Sequence, residues 1–332
     1  MIKKITIADI AKKAGVSKST VSRVLSNTDL VQLETRKKIE KIIEETSYVP
    51  NHLAQGLAGS PTKTIGVVID ELSNFFYIEI AEGIDTVLSA DEYSMQISSS
   101  RWVPGKETQI VRSLISSCVD GILIAPVSPD SEAIDLLKHS RIPFILINCI
   151  PKDKTIPFVS CDNLKGGVLA AEHINKQRKK QIIIITGFNH QTMEDRVQGF
   201  FSHIQHPENV KRYINIKTQE DGEKLVPQLI ENDRIDRIPT ALFITNDNVA
   251  IGIINKLCDY HIKIPRQVSV VGFDNIQISG ICRIPLTTIS QSISDMGKIG
   301  AAALLEMIRN PENTAHCQTV IEPELILRES SL

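Results

Sequence analysis

Residues 6–27 read TIADIAKKAGVSKSTVSRVLSN, and this stretch decides how the N-terminal part of the chain folds. Ile7, Ile10, Ala11 and Ala14 recur at helical spacing, and Thr6 with Asp9 forms a T-x-x-D start that satisfies free amides of the first turn. Gly15 ends that helix, because glycine takes a positive φ without steric cost. Ser17 can cap a second helix whose inward stripe is Val21, Val24 and Leu25, with Lys18, Ser19, Ser22 and Arg23 facing outward. The two helices are a few residues apart, Ala11 is small where they cross, and Val21 fills the angle between them. This is the pattern of a helix-turn-helix. A third helix, about 33–46, brings Ile39, Ile42 and Ile43 to the same small core, which Tyr48 closes. Gln32 is a poor cap for it, so the sequence predicts that this helix frays or begins late.

Around this module lies a chain of 332 residues, enough for two or three domains at roughly 100–200 residues each. Its 42% hydrophobic and 23% charged residues are close to the globular average, which excludes disordered, collagen-like and fibrous classes. The longest apolar runs, GILIAPV from Gly121 and PFILIN from Pro143, fall short of the ~18–20 residues of a membrane helix. The N-terminal MIKKITIADIAKKAG carries charges through its apolar positions, unlike a secretory signal, so a cytoplasmic chain is expected. Six scattered cysteines without a CxxC pair predict reduced structural thiols, with no metal or cofactor. Residues 1–60 hold ten Lys or Arg against six Asp or Glu, a balance of +4; against chain totals of 37 and 39 the remainder has 27 against 33, or −6. A small basic head on an acidic body suits nucleic acid.

From Thr64 the pattern changes to short β-branched runs alternating with amphipathic stretches. TIGVVI at 64, YSMQIS at 93, GILIA at 121, PFILIN at 143, QIIIITG at 181, ALFIT at 241 and VSVVGF at 268 are the clearest. Strands alternating with helices predict parallel α/β sheets covered on both faces, and their number predicts two sheets. Neither GxGxxG after the first strand nor GxxxxGK[ST] anywhere is present, so dinucleotide and P-loop chemistry have no support. No nucleophile–base pair supports an enzyme. Ligands of open α/β sheets bind beyond the carboxyl ends of strands, which places a site between two lobes.

The run 6–27, followed by ETR at 34–36 and YVPNHLAQGLAG from Tyr48, resembles the head and hinge of the lactose-repressor/galactose-repressor (LacI/GalR) family of transcription factors. SNFFYIEIAEGI at 73, VSCDNLKGG at 159, DRVQGF at 195, FITNDNVAIGI at 243, VGFDN at 271 and PLTTISQSISDMG at 285 extend the resemblance over essentially the whole chain. It implies an α/β chain with a three-helix helix-turn-helix head (1–49), a hinge (50–61) and a two-lobed periplasmic-binding-protein-like (type I) core (62–332). The near lobe would take about 62–161 and 291–320, and the distal lobe about 162–290 and 321–332. On this resemblance Lys18, Ser19 and Arg23 read base edges in the major groove. The hydroxyls of Thr6, Ser17, Thr20 and Ser26 suit phosphate oxygens or simple capping. In the hinge, Leu57 matches the residue that wedges into the minor groove, unless it is an ordinary core leucine. Asn51, Ala54 and Gln55 on that segment approach DNA.

The same resemblance assigns an effector site to Phe76, Tyr77, Asn148, Arg196, Lys217, Asn246 and Asp274. Each has a plainer reading: Arg196 as a salt-bridged interlobe residue, Asn246 and Asp274 as turn or cap residues, the aromatic pair as core. Lys217 stands where many relatives carry an aromatic that stacks on the ligand ring, which exchanges stacking for a cation and favours a phosphorylated or acidic ligand. Phe75 replaces the usual proline, and RKKQ at 178–181 replaces a Gly-His. The function implied is a homodimeric repressor of a carbohydrate catabolic or transport operon on a pseudo-palindromic operator, controlled by a sugar or sugar phosphate. Control by a phosphorylated carrier protein or a purine-like corepressor is the alternative. The chain ends at RESSL without a leucine heptad, which favours a dimer over a tetramer.

Overall fold

A computed structural model describes residues 5–25, 31–46, 48, 61–187, 190–311 and 317–331. The chain divides into two compact units, Met1–Thr62 and Lys63–Leu332. In the first, α1 (Ile7–Ala14), α2 (Lys18–Leu25) and α3 (Leu33–Thr46) enclose Ile10, Ala11, Ala14, Val21, Val24 and Ile39, with Ile42, Ile43 and Tyr48 packed at the edge. The start of α1 is a capping box: Thr6 Oγ1 accepts from the Asp9 amide, and Asp9 Oδ2 accepts from the Thr6 amide at 2.9 Å. Gly15 sits at φ +71° and donates back into the last turn. One expectation fails here. Helix α3 begins directly after Gln32, whose carbonyl accepts the first bond of the helix from Arg36 N at 2.9 Å.

The second unit contains twelve strands among the described residues. They are β1 (Thr64–Ile69), β2 (Ser94–Ser99), β3 (Gly121–Ile124), β4 (Phe144–Ile147), β5 (Phe158–Cys161), β6 (Gln181–Ile185), β7 (Val210–Tyr213), β8 (Thr240–Ile244), β9 (Val268–Asp274), β10 (Thr287–Ser290), β11 (Gln318–Ile321) and β12 (Glu324–Ile326). Between them run α4 (Phe75–Ala90), α5 (Pro104–Ser116), α6 (Glu132–His139), α7 (Asn163–Lys176), α8 (Gln191–His203), α9 (Gln219–Asp233), α10 (Asp247–Asp259) and α11 (Ile293–Arg309). The strands form two six-stranded sheets, ordered β11-β5-β4-β3-β1-β2 and β12-β10-β9-β8-β6-β7. Each defines a lobe. All pairings are parallel except that of β10 with β12.

All seven apolar runs quoted from the sequence are strands of these sheets. The five others are short or lie at sheet edges, such as β7, whose VKRY has two exposed middle residues. Central strands β3, β4, β8 and β9 are buried along their whole length, as continuous apolar runs covered on both faces must be. The chain crosses between lobes three times: after β5, after β10, and between β11 and β12. These crossings bring the carboxyl ends of strands from both sheets toward one another.

Two glycines fix the helix pair behind that junction. A Cβ on Gly167 of α7 would stand 2.1 Å from the Arg196 carbonyl oxygen, and one on Gly199 of α8 would stand 1.9 Å from that of Leu164. Backbone therefore touches backbone at the crossing, and this sets where α8 presents Arg196.

Candidate functional site

On the head, the N-terminus of α2 carries three adjoining hydroxyls. Ser17 Oγ lies 2.7 Å from Ser19 Oγ and 2.8 Å from Thr20 Oγ1, and it accepts from the Thr20 amide at 3.1 Å. Ser17 thus caps the helix, and Lys18, Ser19 and Arg23 are exposed on its outer face. A helix N-terminus has unsatisfied amides and a positive dipole end, so this surface suits phosphate oxygens. Thr6 is committed to its capping box. Ser26, Asn51, Ala54, Gln55 and Leu57 lie outside the described residues.

In the second unit, a cavity of ≈ 150 Å³ between the two lobes is lined by Phe76, Tyr77, Asn148, Arg196, Lys217, Asn246 and Asp274, all seven residues marked from the sequence. Tyr77 and Phe76 enter on the first turn of α4, rings edge to face with centroids 5.2 Å apart. Both are buried in the first lobe's core, so the core reading and the cleft reading hold together. The Tyr77 hydroxyl donates to Asp70, the residue beyond β1. Burial pushes the Asp70 carboxyl up to about 7 and the Tyr77 hydroxyl well above its ordinary value. Asn148 follows β4 at φ +55°, and its Oδ1 is buried without a hydrogen-bond partner.

From the second lobe comes a buried guanidinium. Arg196 is 2% exposed; its Nε donates to Asn163 Oδ1 at 2.8 Å, and its Nη1 donates to the Thr245 carbonyl at 2.5 Å and to Asp274 Oδ1 at 3.1 Å. It also lies 3.9 Å above the Phe273 ring. Every one of these partners belongs to the second lobe, so Arg196 is salt-bridged within a lobe and not between lobes. Asp274 ends β9 at φ +125° and accepts a further bond from Gln291 Nε2 at 2.7 Å. Burial raises its carboxyl while Arg196 opposes the rise. Neighbouring Asp247 is raised by burial and by Asp274, although Thr288 and Ser279 donate to it at 2.7 Å each.

Asn246 is a cap: its Oδ1 accepts from the Val249 amide at 2.9 Å to start α10. The residue also lines the cavity. Lys217 is exposed on the loop before α9, beside the Thr218–Asp221 capping box.

Sequence reasoning missed several side chains. Asn74, the α4 cap, accepts from Asn248 Nδ2 at 2.7 Å across the cleft, and Glu79 accepts from the Gln277 amide at 2.5 Å. Trp102 meets His190 edge to face at 5.6 Å. His190 caps α8 through Nδ1, burial lowers its pKa, and its Nε2 has no hydrogen-bond partner. One signal pointed to Trp102: it is the only tryptophan and it stands just beyond a strand, where open sheets bind ligands.

A helix-turn-helix head ahead of two α/β lobes around a small polar cleft defines the class, a DNA-binding transcriptional regulator. The description "Bacterial regulatory proteins, lacI family" matches residues 6–51, and "Periplasmic binding protein-like domain" matches residues 171–331. The chain is 30% identical to catabolite control protein A of Priestia megaterium, over 98% of this chain and 99% of that protein. It is also 30% identical to the HTH-type transcriptional repressor PurR of Vibrio parahaemolyticus, over 98% of each. The chain belongs to the lacI family of bacterial regulatory proteins, whose members here are regulators and not enzymes.

Solved structures agree on the fold. The lac repressor dimer bound to operator and the anti-inducer ONPF superposes with a TM-score of 0.81 at 24% identity, over 99% of this chain and 100% of that one. A LacI family regulator from Enterococcus faecalis V583 with bound ribose gives 0.72 at 28%, over 81% and 98%. The CelR–cellobiose complex gives 0.70 at 25%, over 98% and 100%. No helix among the described residues is long and apolar enough to cross a membrane.

Proposed function

We propose that the chain is a homodimeric cytoplasmic repressor of a carbohydrate catabolic or transport operon, released from or held on its operator by a sugar or sugar phosphate bound between the lobes. The observation that carries this reading is the convergence of all seven marked residues on one cavity of ≈ 150 Å³. A cavity of about 150 Å³ is known to hold a benzene-sized molecule, so this space suits a single small ring, as in a monosaccharide. Arg196 and Asp274 largely neutralise each other, so the floor offers hydrogen bonds to hydroxyls, and Lys217 at the rim supplies a cation for a phosphate. Bound cellobiose and ribose in two similar structures support the sugar class.

On the head, Lys18, Ser19 and Arg23 read bases while Ser17, Thr20 and Ser26 meet phosphates, and the hinge residues Asn51, Ala54, Gln55 and Leu57 complete the contact. Two heads on one dimer imply a pseudo-palindromic site, as the lac repressor dimer on its operator suggests. Footprinting of the regulator's own upstream DNA, combined with calorimetry of the full chain against D-ribose, cellobiose, glucose 6-phosphate and adenine, tests both halves. A protected palindrome and a saturable heat with a sugar are expected. Protection that responds to a phosphorylated carrier protein and to none of the four compounds overturns the sugar assignment.

A further inference from the structure

Of the aromatic side chains that line the cleft, one keeps open surface. Phe76 and Tyr77 are 4% and 3% exposed, and the Tyr77 hydroxyl is tied to Asp70. Trp102 is half-buried and lines the same cavity from the turn between β2 and α5. Arg101 and Trp102 both hold positive φ, 55° and 59°. Consecutive non-glycine residues in that region are strained and persist only where the surroundings impose them. The indole meets the His190 ring edge to face, at 5.6 Å and 75°. His190 is itself a buried helix cap of the second lobe, so the indole of one lobe is braced by a fixed group of the other. At Lys217, across the loop before α9, the lining side chain is a cation and not a ring.

We propose that Trp102 is a specificity-determining residue: its indole is the platform on which the effector's ring lies, with that ring's polar rim turned toward Arg196, Asn246 and Asp274. The inference rests on the cleft being the effector site. A pyranose or furanose fits the chemistry. One face of such a ring is carbon-bound hydrogen, which the negative face of an indole attracts, and its hydroxyls lie at the edge. The acceptor Oδ1 of Asn148, buried without a partner, gives one such hydroxyl a destination.

Because the chain has a single tryptophan, its emission reads this ring alone. The test titrates the full chain with D-ribose, cellobiose, glucose 6-phosphate and adenine, by calorimetry and by tryptophan emission, in the native protein and in Trp102→Phe and Trp102→Ala, calorimetry alone serving the variants. A sugar that gives a saturable heat is expected to change the emission with the same midpoint. Trp102→Ala is expected to bind it about threefold to tenfold more weakly, and Trp102→Phe to bind within about twofold of native and to keep the native urea midpoint. Unchanged emission at saturation, or unchanged affinity in Trp102→Ala, overturns the platform and leaves the effector reading intact. Binding of adenine and of no sugar overturns the assignment of a sugar ring. Heat from none of the four overturns the effector reading of the cleft, and this inference with it.

Discussion

Asn246 is a helix cap that also lines the cleft: its Oδ1 caps the start of α10. Serine caps a helix about as well as asparagine, whereas alanine does not. Asn246→Ser is therefore expected to keep the native urea midpoint yet lose sugar affinity, while Asn246→Ala loses both, the stability by about 1 kcal/mol; equal sugar affinity in Asn246→Ser and native protein would show the residue to be a cap only. Asp70 makes a prediction in pH. Burial holds its carboxyl at about 7, above the ordinary 3.8, so the folded chain keeps a proton that the unfolded chain has already released. Its contribution to stability is complete below about pH 4 and is lost as pH climbs to about 7, a change of up to roughly 4 kcal/mol. Asp70→Asn should flatten that decline in urea midpoints measured from pH 4.5 to 7.5, and a decline as steep as the native one would refute the assignment.

At the scale of elements, the α7–α8 crossing holds the site in place. Glycine at 167 and 199 lets the two backbones touch, and a methyl at 199 would meet the Leu164 carbonyl at 1.9 Å. Nothing flexible can yield there, so Gly199→Ala must push the helices apart. A loss of about 1–3 kcal/mol is expected in chemical denaturation, together with weaker binding of the proposed effector, because Arg196 and its partner Asn163 sit on the two displaced helices. Helix α2 makes the corresponding case in the head. Its inner face is Val21 and Val24 in the core, and its outer face carries Lys18, Ser19 and Arg23. Arg23→Ala is expected to relax preference at one base pair by about 1–3 kcal/mol, seen as that position losing discrimination in binding to a set of single-base operator variants.

For the whole second unit, three chain crossings and a few polar contacts join the lobes. Asn74 with Asn248 and Glu79 with Gln277 bridge them, and a ligand can shift their arrangement only by binding one arrangement better than another. Asn248→Ala removes a bridge without touching the head. It is expected to change the ratio of operator affinities with and without the proposed effector, by a few fold against a usual coupling of ~1–3 kcal/mol, while random-DNA affinity stays native. Loss on random DNA as well would mark the variant as merely destabilised.

The helix-turn-helix and seven of the twelve described strands were legible in the sequence, and the resemblance to a known family marked the seven residues that line the cleft. Period, capping chemistry and turn residues are local properties, and TNDN and GFDN mark the carboxyl ends of strands. The late start expected for α3 does not occur: the helix begins at Leu33, directly after Gln32. What tertiary structure alone decided is partnership across distance. Arg196 meets Asp274 seventy-eight residues away, and Trp102 meets His190 from the other lobe, because sheet order and three crossings bring separate strand ends together. No spacing along a chain encodes which loops will face each other; that follows only once the sheets have packed.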